Sequence, residues 1–233
     1  MAQNIALIPA AGIGNRFGAG KPKQYVDIAG KSVLQYTLDI FLNHSNIDIV
    51  AVVLAPEDQV FQVALAGKLQ VYHCGGETRA ETVRNGLAAL LATGIASLED
   101  NILVHDAARC CLPITALNRL LMEAGGRPEG GILAVPVADT LKRAKHSMHI
   151  NDSEHIKETV ARGDLWQAQT PQLFPAGLLQ RALSEVDLSK VTDEASAVEA
   201  LGISPLLVTG DSRNLKMTLP QDEYIVRLLL QNI

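Results

Sequence analysis

Residues 9–25 read PAAGIGNRFGAGKPKQY, directly after the apolar run Ile5, Ala6, Leu7 and Ile8. A short apolar run that ends in a Gly-rich turn predicts a buried parallel strand feeding a loop at the carboxyl edge of a sheet, where ligands bind in open α/β folds. Gly12, Gly14, Gly18 and Gly20 let backbone amides approach a ligand closely, and Arg16, Lys21 and Lys23 place three cations within eight residues. The stretch is therefore a candidate site for a polyanion, with a triphosphate as the leading candidate. A solvated Gly/Lys surface turn is the plain alternative, and the density of glycines and cations straight after a strand argues against it.

Two better-known phosphate loops are excluded. Gly20-Lys21 is followed by Pro22, where a P-loop requires a hydroxyl residue for magnesium. The dinucleotide fingerprint requires a third glycine where Phe17 stands, together with a helix opening inside the motif. Lys21-Pro22-Lys23 instead prolongs an irregular loop, because a residue before proline is driven out of the helical region.

A chain of 233 residues with 48% hydrophobic content can bury one sizeable α/β core in a single domain, 1–233. The net charge of -5 argues against nucleic acid as a partner, and the cations are local to loops, as a small anion needs. Met1-Ala2-Gln3-Asn4 lacks a basic leader, and no run approaches the roughly 18 apolar residues of a membrane helix. A cytoplasmic protein without a membrane partner is expected. Cys74, Cys110 and Cys111 lack zinc-ligand spacing and read as packed, reduced thiols.

Further apolar runs at 47–54, 102–104, 132–137 and 206–209 alternate with helical patterns, which predicts a mostly parallel sheet covered by helices on both faces. Leu34, Leu38, Phe41 and Leu42 follow a Ser32 cap. Val83, Leu87, Leu90 and Leu91 stop at Gly94, and Leu117, Leu120, Leu121 and Ala124 precede Gly125. Thr192 with Asp193 and Glu194 opens a helix through Val198 and Leu201, and Pro220 with Asp222 and Glu223 opens the last one. Residues 139–163 break the alternation: polar strand-like pieces at 140–143 and 156–160 form a hairpin too poor in apolar residues to stand alone.

Pro9-Ala10-Ala11-Gly12, Arg16 and Lys23-Gln24-Tyr25 resemble the signature of nucleotidyltransferases that charge a phosphorylated metabolite. Collinear blocks follow at GGETRAETV (75–83), HDAAR (105–109), PVADTLK (136–142), QTPQLF (169–174), TDEASAVE (192–199) and NLKMT (214–218). Together they resemble the 2-C-methyl-D-erythritol 4-phosphate cytidylyltransferase family of the non-mevalonate isoprenoid pathway. The resemblance implies a Rossmann-like α/β domain in which residues 139–163 are an arm that embraces a second subunit. It implies attack by the phosphate of methylerythritol phosphate on the α-phosphorus of CTP, expelling pyrophosphate. Such a monoester is already ionised near neutral pH, so no Ser/His/Asp or Cys/His set is required and the difficulty is electrostatic.

By the same resemblance, Arg16 and Lys23 stabilise the pentavalent transition state, while Arg162 and Lys216 orient the attacking group. Ala10, Ala11, Gly12, Gly14, Gly76, Glu77, Arg79 and Thr82 match positions around the nucleotide, with the Thr82 hydroxyl, usually Ser in the family, expected near the cytosine edge. Asp106, Ala107, Arg109, Thr140, Thr170 and Thr192 complete the substrate set, with Thr140 on the acceptor. His105 reads as structural. Cys110 replaces the family's usual Pro, so the loop after Arg109 lacks that rigid residue. Magnesium is expected on the CTP phosphates; Asp106 is a candidate to approach it, and no protein ligand is assigned. An enzyme for another polyol phosphate, such as ribitol phosphate, and a noncatalytic nucleotide-binding module are the competing readings.

Overall fold

The computed structural model describes residues 2–12, 22–62, 67–145 and 155–231. Its strands are β1 (Asn4–Pro9), β2 (Asp27–Ile28), β3 (Lys31–Ser32), β4 (Ile49–Val53), β5 (Leu69–Tyr72), β6 (Asn101–Val104), β7 (Gly131–Pro136), β8 (Leu141–Ala144), β9 (Ile156–Val160), β10 (Trp166–Pro175) and β11 (Leu206–Thr209). The helices are α1 (Val33–Leu42), α2 (Arg79–Ala92), α3 (Ile114–Ala124), α4 (Ala176–Glu185), α5 (Glu194–Glu199) and α6 (Asp222–Leu230). Among the described residues, seven strands form one sheet in the order β11-β7-β10-β6-β1-β4-β5. Its pairs are parallel except where β10 runs antiparallel to both β6 and β7.

Side-chain alternation along each strand splits the core into two layers. In β1, Ala6 and Ile8 face the layer built with Leu34, Leu38 and Phe41 of α1 and Leu117 and Leu120 of α3. Ile5 and Leu7 face the opposite layer, with Val83, Leu87 and Leu90 of α2 and Leu179 and Leu183 of α4. The helices therefore cover both faces, as the alternating pattern predicts. Each fully buried Leu or Ile stabilises the fold by about 1.5–3 kcal/mol through removal of apolar surface from water. Gly86 lets α2 lie close to the sheet, because a Cβ there would stand 2.4 Å from Val53 Cγ2.

Local chemistry sets the helix starts. The Ser32 hydroxyl accepts the Gln35 amide at the head of α1. α2 begins four residues before Val83, where Thr78 and Glu81 form a reciprocal capping box. Asp193, rather than Thr192, caps α5, and that helix ends before Leu201. Two strands of the seven-stranded sheet stand outside the sequence pattern. β5 is a four-residue edge strand, while β10 contains Pro171 and a register break between Ala168 and Gln172. The irregularity accommodates a residue that has no amide proton for the ladder.

β8 and β9 pair only with one another and leave most of their side chains exposed, Ile156 at 61%. Lys142 Nζ donates to Thr159 Oγ1 at 2.7 Å and Arg143 pairs with Glu158 at 2.6 Å across the hairpin. Exposed pairs of this kind contribute little, so the hairpin's own contacts do not make it stable. Positions 146–154 of the linking stretch lie outside the described residues.

Candidate active site

The loops at the carboxyl ends of β1 and β6, the turn before α2 and the segment after β11 converge on one edge of the sheet. They line a cleft of ≈ 160 Å³ that includes Ala10, Ala11, Gly12, Lys23, Gly76 and Glu77. Gln24 Nε2 donates to the carbonyls of Ala10 and Gly12, both at 2.9 Å, and so ties the start of the Gly-rich loop to the turn after Pro22. Gly75 permits the opposite wall to approach, since a Cβ would stand 2.2 Å from Ala11 Cβ and 2.8 Å from the Leu54 carbonyl. Gly14, Arg16 and Lys21 lie outside the described residues.

Thr82 lines this cleft as well. Its hydroxyl donates to the Thr78 carbonyl at 2.9 Å and accepts the Gly76 amide at 3.1 Å, which fixes the Gly76 turn.

A second cleft of ≈ 190 Å³ adjoins the first and is lined by Arg109, Gln169, Thr170, Thr192 and Asp193. Arg79, Asp106 and Lys216 border both clefts. Asp106 accepts Arg79 Nε at 2.8 Å and Lys216 Nζ at 2.8 Å, with Arg109 Nε at 3.6 Å. Burial pushes the Asp106 carboxyl up, but Arg79 and Lys216 outweigh it and hold the group well below the usual carboxylate range. Arg79 reaches on to Glu194, which is fully buried and accepts at 2.6 and 3.0 Å in a bidentate pair. Burial lowers the Arg79 pKa, and the two carboxylates more than reverse the shift. Glu194 thus pairs with Arg79, while Asp193 caps α5 and receives Gln172 Nε2 at 2.9 Å.

Behind this wall His105 is completely buried and neutral, its pKa lowered to about 4 by burial. Asn214 donates to the Thr170 carbonyl at 2.7 Å, and its own carbonyl accepts Arg109 Nη1 at 2.6 Å. Cys110 and Cys111 pack into a third apolar cluster with Ile28, Val33, Met217 and Val226. Thr140 and Arg162 are exposed, at the base of the hairpin, and line neither cleft. Gln24, Glu194 and Asn214 stand inside the blocks at 23–25, 192–199 and 214–218, but those blocks do not name the partners that the fold brings to them.

A doubly covered, mostly parallel sheet with Lys23, Arg79, Arg109 and Lys216 gathered at its carboxyl edge is an α/β architecture suited to anionic ligands at that edge, and the matches that follow give its class, the nucleotidyltransferases. The family model for 2-C-methyl-D-erythritol 4-phosphate cytidylyltransferase, IspD, matches residues 4–232. A relative of that name from Neisseria meningitidis serogroup C / serotype 2a is 62% identical over 234 residues, covering 99% of each chain. Another from Chromobacterium violaceum is 48% identical over 228 residues, covering 97% of each. The crystal structure of a 4-diphosphocytidyl-2C-methyl-D-erythritol synthase superposes with TM-score 0.84 at 56% identity, covering 99% of both chains. That of the Francisella tularensis cytidylyltransferase gives 0.80 at 33% identity, over 98% of this chain and 100% of the other. The chain belongs to the 2-C-methyl-D-erythritol 4-phosphate cytidylyltransferase family.

Proposed function

We propose that the chain joins CTP and 2-C-methyl-D-erythritol 4-phosphate to give 4-diphosphocytidyl-2-C-methyl-D-erythritol and pyrophosphate, with the nucleotide in the first cleft and the acceptor in the second. The observation that carries this division is the wall of Arg79, Asp106 and Lys216 common to both clefts. Two anions must meet across it, and the wall puts fixed charges where they meet. Asp106 holds the Lys216 ammonium at the boundary, from which a movable point charge can accompany the attacking phosphate. Lys23, on the first cleft, and Arg16 stabilise charge as it builds on the α-phosphoryl group; loss of one such donor costs about 3–4 kcal/mol.

Magnesium belongs to this reading as a companion of the triphosphate, where it neutralises charge on the phosphate oxygens. Asp106 already faces three cations, and among the described residues no group of three His, Cys, Asp or Glu side chains gathers to cage a metal. The described side chains therefore do not fit a dedicated metal cage, and no step above runs through the ion.

Thr140 and Arg162 enter from a second subunit in a homodimer built on the 139–163 arm, within one 1–233 domain. The exposure of both residues and the hairpin's poor burial support this. The enzyme is read as cytoplasmic; no helix among the described residues is long and apolar enough to cross a membrane.

The test is pyrophosphate release from CTP with a panel of polyol phosphates. Release with methylerythritol phosphate is expected. Release with ribitol phosphate alone would replace the acceptor, and no release with any polyol phosphate would favour a noncatalytic binding module.

A further inference from the structure

We propose that His105 is a positioning residue, whose neutral imidazole, protonated on Nε2, sets the placement of Arg109 directly and of Asp106 by way of Thr170. This rests on the assignment of Asp106, Arg109 and Thr170 to the acceptor side of the site.

His105 lines neither cleft. Its Nε2 lies 3.0 Å from the Arg109 carbonyl, and its Nδ1 lies 3.0 Å from Thr170 Oγ1. A carbonyl oxygen only accepts, so Nε2 carries a proton; the completely buried ring holds just that one, and Nδ1 is left as an acceptor. The Thr170 hydroxyl must then donate to Nδ1, which leaves its oxygen to accept the Asp106 amide at 3.0 Å. The direction of every bond in the chain follows from the first. The Asn214 bonds to Thr170 and Arg109 close the circuit and bring in the segment that carries Lys216. The His105 amide donates to the Leu7 carbonyl at 3.0 Å and its ring meets Phe41 edge-on at 5.1 Å, so the imidazole is fixed to β1 and α1. Cys110 puts no pyrrolidine ring after Arg109, and His105 holds the Arg109 carbonyl.

Two measurements test this. Long-range proton–nitrogen NMR on histidine-labelled enzyme at pH 7 is expected to find His105 protonated on Nε2 alone; an Nδ1–H tautomer or an imidazolium would overturn the proposal. His105→Asn can present an oxygen where Nδ1 accepts from Thr170, whereas His105→Gln offers a donor toward Arg109 and leaves Thr170 without an acceptor. Turnover is expected to fall about 10- to 100-fold in the Gln variant, as for a reacting group displaced by a fraction of an ångström, and to fall less in the Asn variant, which keeps the Thr170 bond and loses only the one to Arg109. CTP affinity by calorimetry should change far less in both. A turnover order that follows melting temperature rather than the acceptor, or a matching loss of CTP affinity, would make His105 merely structural and overturn the proposal. If neither variant folds, the tautomer decides. Failure of the wild-type enzyme to turn over methylerythritol phosphate would sink the functional reading and leave the tautomer result intact.

Discussion

Glu194→Gln removes one charge from the pair that anchors Arg79 while keeping the side chain's size. Glu194 is 1% exposed at its side chain and Arg79 28%, with bonds of 2.6 and 3.0 Å between them. Taking one partner from a fully buried ion pair costs about 3–5 kcal/mol. Here the amide oxygen of Gln still accepts one bond, Asp106 still faces Arg79 at 2.8 Å and the guanidinium keeps some water. The expected loss is therefore lower, about 2–3 kcal/mol. For a domain of this size each kcal/mol moves the melting midpoint by about 2–4 °C, which gives a fall of roughly 4–12 °C. Scanning calorimetry at pH 7.5 reads it directly, and pyrophosphate release on the same preparation should show reduced turnover as Arg79 loses its fixed position between the clefts. A midpoint shifted by less than about 2 °C would refute the reasoning, because it would mean that the bidentate pair contributes no more than an exposed one.

Lys23→Ala is expected to lower turnover by about two orders of magnitude or more with much smaller change in CTP affinity; a raised substrate constant at unchanged turnover would make Lys23 a ground-state binder. Mixing Arg162→Ala subunits with Lys23→Ala subunits should restore activity in hybrid dimers, since one site then combines an intact Lys23 with the partner's intact arm; mass-confirmed hybrids without activity would reject a shared site. His105 has an ordinary pKa near 6.5 when unfolded and about 4 when folded, so the unfolded state binds the proton first and stability falls as pH drops through that interval. Asp106 and Arg109, the charged groups beside it, keep their charges there. The loss approaches about 3 kcal/mol by pH 4, and pH-dependent melting should show a shallower slope in His105→Asn; equal slopes would contradict the burial of a neutral imidazole.

The two-layer fold was legible because β1, β4, β6, β7 and β11 are short apolar runs bounded by turn residues, and because α1 and α3 bury stripes at helical spacing. β10 was not, since Pro171 argues against a central strand and only the pairing with β6 and β7 reveals the break that admits it. In the site, the family's motifs point to Lys23, Asp106 and Lys216, which the fold brings to one edge. What they do not carry is the commitment of Arg79 to Glu194, 115 residues away, or of His105 to Thr170, 65 residues away. Such bonds join residues that only the finished sheet makes neighbours. Thr82 is a local case: its hydroxyl bonds to Thr78 and Gly76 join residues at most six positions apart.

β10 also governs the order in which this enzyme can be assembled during synthesis. β6 and β7 meet solely through it, so a nascent chain that has not yet delivered residues 166–175 has its sheet in two unjoined pieces, β5-β4-β1-β6 on one side and β7 on the other. Thr170 sits on that same strand, and the Asp106 amide that depends on it waits as well. The event that joins the two pieces of the sheet is thus also the one that seats Asp106, while Glu194, β11 and Lys216 follow later in the chain.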